Sequence, residues 1–82
     1  MELSEIREKI NSVDDQLLDL FLQRMDLAEE VAAYKRAHNQ PILNKPRERE
    51  ILAKIMEKAG SREQYAHHLF STLFELSRSR QG

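Results

Sequence analysis

Apolar residues recur at Leu3, Ile6, Ile10, Val13, Leu17, Leu20, Leu27, Val31 and Tyr34. The spacings alternate three and four, which is the heptad seam of a continuous helix. No Gly or Pro interrupts the chain between residue 2 and about residue 37. With Leu3, Ile10, Leu17 and Val31 as the a positions, the d positions are Ile6, Val13, Leu20, Leu27 and Tyr34, and the a position between Leu17 and Val31 is Arg24. Residues 38–46 break this pattern: Pro41 and Pro46 predict a loop, and Pro46 suits the first turn of a following helix. Asn44 or Lys45 would cap that helix, Asn being the better capping residue. It should run from about 46 to 59, with Ile51, Leu52, Ile55 and Met56 on one face and Gly60 as its stop. Ser61-Arg62-Glu63-Gln64 matches a capping box for a third helix carrying Tyr65, Leu69, Phe70, Leu73, Phe74 and Leu76 toward the C-terminus. No internal repeat or low-complexity stretch is present.

The reading is therefore all-α, one long helix and two shorter ones in a single domain over residues 1–82. A helix of about 35 residues is roughly 50 Å long, whereas a compact chain of this size has a radius of gyration of roughly 12 Å. The long helix overhangs any core the remainder could build, so much of its seam should be covered by a second chain in an intertwined helical homodimer.

Composition narrows the alternatives. A chain of 82 residues buries little core alone and usually needs a staple or a partner. There is no cysteine to form a disulfide, and three histidines without thiols do not suggest a structural zinc site. The 13 basic and 14 acidic residues give a net charge of −1, without the basic excess of a nucleic-acid binder. No apolar run is long enough to span a membrane, and Met1-Glu2-Leu3-Ser4-Glu5 lacks the apolar stretch of a signal peptide. A soluble cytoplasmic protein is expected.

Function is legible in the residues that break the binary pattern. Arg24 occupies the seam, where a desolvated guanidinium needs an anion. A structural ion pair or a register-setting polar residue would answer that need as well as a ligand would. Lys35 follows by eleven residues, so it is rotated by only about 20° and displaced by about 16 Å along the axis. Taken singly, it is a solvated lysine. Arg47 precedes Ile51 by four and Glu48 precedes Leu52 by four, so both extend the apolar face of the second helix. An intrahelical charge cluster is the plainer account of that pair. Ser77 and Gln81 continue the apolar stripe of the third helix in polar form, which a fraying terminus would also explain. Arg7 lies about 25 Å from Arg24 and is turned by about 100°, so on one straight helix the two cannot share a pocket. In an antiparallel dimer Arg7 could reach the partner's pocket. Together these residues describe an interhelical pocket of Arg, Arg, Lys, Glu, Ser and Gln. It contains no nucleophile–base pair, and His38, His67 and His68 do not stand at metal-ligand spacing.

In order along the chain stand Ile6-Arg7-Glu8-Lys9-Ile10, Val13-Asp14-Asp15-Gln16-Leu17-Leu18 and Arg24-Met25-Asp26-Leu27-Ala28, then Lys35 and the run Pro41 to Glu50, and finally Phe70, Ser77 and Gln81. This succession resembles the all-helical chorismate mutases, including the N-terminal domains of bifunctional chorismate mutase–prephenate dehydratases, over nearly the whole chain. The resemblance implies that Arg7 is donated across a homodimer to a substrate carboxylate, and that Arg24 and Arg47 bind or brace carboxylate within one chain. It implies that Lys35 contacts a carboxylate and the ether oxygen, Glu48 meets the ring hydroxyl, and Ser77 lies at the carboxylate end. Gln81 would donate to the ether oxygen from the other side. Asn44 stands where many relatives carry Asp, and its carbonyl can still accept from the ring hydroxyl.

The implied reaction is the intramolecular rearrangement of chorismate to prephenate, with no cofactor or metal and with chorismate as the small-molecule partner. A pericyclic shift needs neither nucleophile nor general base; it needs a held conformer and donors where charge grows on the ether oxygen. Lys35, Gln81 and Arg24 are the expected catalytic residues. Two rivals share parts of this pattern. An isochorismate–pyruvate lyase on the same fold would use a similar pocket. A non-catalytic helical dimerisation module would explain the seam but not the charged residues that interrupt apolar faces.

Overall fold

The computed structural model describes residues 1–81, the side chains of Arg80 and Gln81 excepted. Helix α1 spans Leu3–Ala37, α2 spans Lys45–Ala59 and α3 spans Glu63–Gln81, with a single 3-10 turn, Gly60–Arg62, between the last two. No strand occurs among the described residues, so the chain is all-helical. None of these helices is long and apolar enough to cross a membrane.

The uninterrupted run of helix-compatible residues makes α1 one rod of 35 residues, and the longest molecular axis is 54 Å. The radius of gyration is 15.8 Å, against about 12 Å for a compact chain of this length. Every residue from Met1 to Leu20 is exposed. The apolar a and d side chains of the seam, from Leu3 to Tyr34, are 40% to 61% exposed in the single chain, a continuous bare stripe rather than scattered surface leucines.

Packing within the chain uses a different stripe of α1. Phe21, Met25, Ala28 and Ala32 are its covered apolar positions, again at spacings of four and three. Ala32 is 1% exposed and Ala28 7%. Helix α3 lies against this stripe and also against α2, while α1 and α2 do not approach each other closely. Two alanines let α3 sit near the α1 backbone, and Phe74, 5% exposed, fills the contact and meets Phe70 edge-on at 6.5 Å between ring centroids. The result is a cleft walled by α1 and α2, with α3 as its floor.

The turns are set by specific groups. The Asn44 side chain accepts a hydrogen bond from the Arg47 backbone N–H at 3.1 Å, which caps α2 as expected of Asn, and Pro46 stands in its first turn. Asn39 takes φ 55° just after α1 ends, a left-handed conformation that Asn tolerates. Gly60 takes φ 60°, reversing the chain where a Cβ would be strained. The capping box expected at Ser61 does not form: Ser61 lies inside the 3-10 turn, and α3 begins at Glu63. The sharp turn at Gly60 carries the chain from one helix into the next with no extended N-cap residue between them.

Replacing Ala32 with Leu should overpack the α1–α3 contact and destabilise the fold by about 1–3 kcal/mol. The same change at exposed Ala33 should stay within about 0.5 kcal/mol. Denaturant melts of the two variants check this, and equal effects would contradict the packing described.

Candidate active site

The cleft has a volume of about 300 Å³, at the lower end for a small-molecule site. Helix α1 contributes Arg24, Leu27, Ala28, Val31 and Lys35, the loop gives Ile42 and Asn44, α2 gives Arg47, Glu48 and Ile51, and α3 gives Phe74, Ser77 and Arg78. Six of the eight residues singled out in the sequence thus meet in one space: Arg24, Lys35, Asn44, Arg47, Glu48 and Ser77. Arg7 lies on the bare half of α1 and does not line it. Gln81 ends α3, and its side chain lies outside the described residues.

Arg24 is the most constrained of these. Its Nη1 donates to Ser77 Oγ at 2.6 Å, and its Cζ stands 5.6 Å from the centre of the Phe74 ring, within cation–π range. Ser77 is itself only 8% exposed. No carboxylate among the described residues forms an ion pair with Arg24. Burial pulls the Arg24 guanidinium below its ordinary pKa, and the nearby Arg47 charge pulls it further, since desolvation and like charge both disfavour a cation. The seam position therefore holds a charge that is ordered, partly dehydrated and without an anion.

The other cations are parked on exchangeable partners. Lys35 Nζ donates to the Ile42 carbonyl at 2.7 Å, which ties the end of α1 to the loop. Arg47 pairs with Glu50 at 2.8 Å in a contact more than half exposed on both sides, so the pair contributes little and opens easily. Asn44 lines the cleft with its side-chain oxygen already accepting from the Arg47 N–H. That oxygen has a second lone pair, so capping α2 and accepting from a ligand hydroxyl are compatible.

Arg78 is the cleft residue the sequence reading passed over. It donates to Glu48 Oε2 in an ion pair whose side chains are 33% and 25% exposed. A signal was present: Phe70, Phe74 and Arg78 follow one another at four-residue spacing, so Arg78 continues the buried line of α3.

Four cations therefore surround one carboxylate, Glu48, beside apolar Leu27, Val31, Ile42 and Ile51. The lining holds no His or Cys, and no group of three His, Cys, Asp or Glu residues suited to a metal occurs among the described residues. Chemically this arrangement can hold a small anionic ligand, fix its conformation and stabilise negative charge.

Comparison with known proteins agrees with that class. A family model described as chorismate mutase type II matches residues 6–82. The bifunctional chorismate mutase/prephenate dehydratase of Escherichia coli is 34% identical over 74 residues, covering 90% of this chain and 19% of that protein. Its counterpart in Aquifex aeolicus is 40% identical over 55 residues, covering 67% of this chain and 15% of that protein. The chorismate mutase of Methanocaldococcus jannaschii is 31% identical over 83 residues, covering 98% of this chain and 84% of that protein. The chain belongs to the type II chorismate mutase family. It spans 15% to 19% of the length of the bifunctional mutase/dehydratase relatives it matches.

Because Arg24 is dehydrated without an anion, Arg24→Met should leave the ligand-free melting temperature unchanged or higher while abolishing the rise that a bound dicarboxylate gives the unmodified protein. A ligand-free protein melting several degrees lower would mean that the guanidinium serves the fold rather than the ligand.

Proposed function

We propose that this chain catalyses the rearrangement of chorismate to prephenate, in phenylalanine and tyrosine biosynthesis in the cytoplasm. The observation that carries the reading is the convergence of Arg24, Lys35, Asn44, Arg47, Glu48 and Ser77 on one cleft, from sequence positions that family resemblance assigns to the substrate.

In this reading the two substrate carboxylates complete the electrostatics of the cleft. Arg24, already braced by Ser77 and Phe74, takes one carboxylate, and Arg47 leaves its exposed partner Glu50 to brace or bind it. Lys35 releases the Ile42 carbonyl and reaches both carboxylate and ether oxygen. Glu48, with Asn44 beside it, accepts from the ring hydroxyl. Those contacts hold the diaxial conformer in which the carbon atoms that bond stand close together. As the ether C–O bond breaks and the C–C bond forms, negative charge grows on the ether oxygen. Lys35 on one side and Gln81 on the other stabilise it as preplaced donors. No proton is transferred, so neither a general base nor a metal enters. Gln81 is neutral and needs no protonation to donate.

We further propose that the working unit is an intertwined homodimer of three-helix chains. The bare a/d seam supports this, because a second copy is the natural cover for a 20-residue exposed stretch carrying the same heptad pattern. An antiparallel partner would bring its Arg7 to the substrate carboxylate and close the open side of the cleft.

Loss of chorismate absorbance, with the product converted by acid to phenylpyruvate, tests the reaction. Turnover should fall by at least about 10² in Arg24→Ala. No turnover by a folded, dimeric protein would sink the reading, and release of pyruvate from isochorismate would replace it with the lyase. The rate should be flat across neutral pH, and a loss between pH 5 and 7 that follows a group at position 81 would refute the neutral-donor role.

A further inference from the structure

Glu48 presents a difficulty the family resemblance does not address. Among the described residues it is the only carboxylate lining a cleft with four cations. A rotatable carboxylate there would pair with Arg24, Lys35 or Arg47 and neutralise the charges needed by the ligand. In the structure it does none of these. Arg24 is held by Ser77, Lys35 by the Ile42 carbonyl, and Arg47 by Glu50, which lies outside the cleft. Glu48 is given instead to Arg78, thirty residues away on α3, through its Oε2. The pair joins the first turn of α2 to the end of α3 in a partly shielded setting, where a charge-assisted bond is stronger than at an open surface.

We propose that Arg78 is a positioning residue: it anchors Glu48 by one oxygen, keeps that carboxylate off the ligand-holding cations, and leaves Oε1 as the acceptor for the substrate hydroxyl. The inference rests on the mutase reading of the cleft. Arg78 itself need not touch substrate. Removing it should free Glu48 to occupy the anion site, so the damage should depend on Glu48 being a carboxylate. Gln at position 48 can still accept from a hydroxyl but has no charge with which to compete.

The test is a double-mutant cycle on KM and kcat for chorismate, with Arg78→Met, Arg78→Lys, Glu48→Gln and the double variant. Arg78→Met should raise KM about tenfold with a smaller fall in kcat, because the anion site is blocked rather than the chemistry altered. Arg78→Lys should recover most of the loss. Adding Arg78→Met to Glu48→Gln should change KM by no more than about twofold. Equal losses in both backgrounds, or an unchanged KM in Arg78→Met, would overturn the proposal. Arg78→Gln, which retains a neutral donor, stands in if the Met variant fails to fold. The same cycle read as the chorismate-induced rise in melting temperature separates the two failures: no turnover with binding intact sinks the mutase reading, whereas equal loss of that rise in both backgrounds sinks the role of Arg78.

Discussion

An arginine occupies a position in α1 where the heptad calls for an apolar residue, and its charge is not answered by any described carboxylate. Arg24 is oriented by Ser77 below and by the Phe74 ring beside it, and these contacts aim a partly dehydrated cation into the cleft. Much of the site follows from that arrangement. Arg47 adds repulsion to it, and the surplus of positive charge in the lining favours an anionic ligand. Burial of a lone cation costs free energy, and a ligand that supplies its counter-charge recovers it on binding.

Placement of that charge depends on two alanines. Ala28 and Ala32 are buried where α3 packs on α1, and so are Phe74 and Ser77 of α3, the partners of Arg24. Helix α2 packs on α3 and not on α1, which leaves room between α1 and α2 for a ligand. The same geometry leaves the a/d seam of α1 bare. In the proposed dimer the two apolar stripes of α1 divide the labour, the alanine stripe building the cleft within one chain and the heptad seam recruiting the second.

The long helix, the loop at the prolines and the Asn44 cap were legible because they follow from local rules: periodicity, absence of breakers, and capping chemistry. That Arg24 and Lys35 point to the same side of α1 was legible from helix geometry, since eleven residues bring a side chain back to nearly the same face. The stripe through Phe21, Met25, Ala28 and Ala32 was harder to see, because alanine carries little hydrophobic signal and the heptad seam beside it dominates the pattern. Arg78 was obscured by its neighbours: in Ser77-Arg78-Ser79-Arg80 it reads as one more charge in a polar tail, although its spacing from Phe74 places it inward. The contact of Lys35 with the Ile42 carbonyl and that of Arg78 with Glu48 depend on how distant elements meet, which periodicity does not encode. At Ser61 a local motif was present but was overridden by the turn at Gly60.

In the proposed dimer a second chain finishes the cleft, and Arg7 from one copy and Arg24 from the other serve the same substrate. The shared site can be checked by mixing Arg7→Ala with Arg24→Ala protein after denaturation and joint refolding. Each variant alone should be nearly inactive. In a heterodimer one site regains both arginines while the other loses both, so a random equal mixture should recover about a quarter of the activity of the unmodified protein. A mixture no more active than the sum of the separate variants would contradict the shared site.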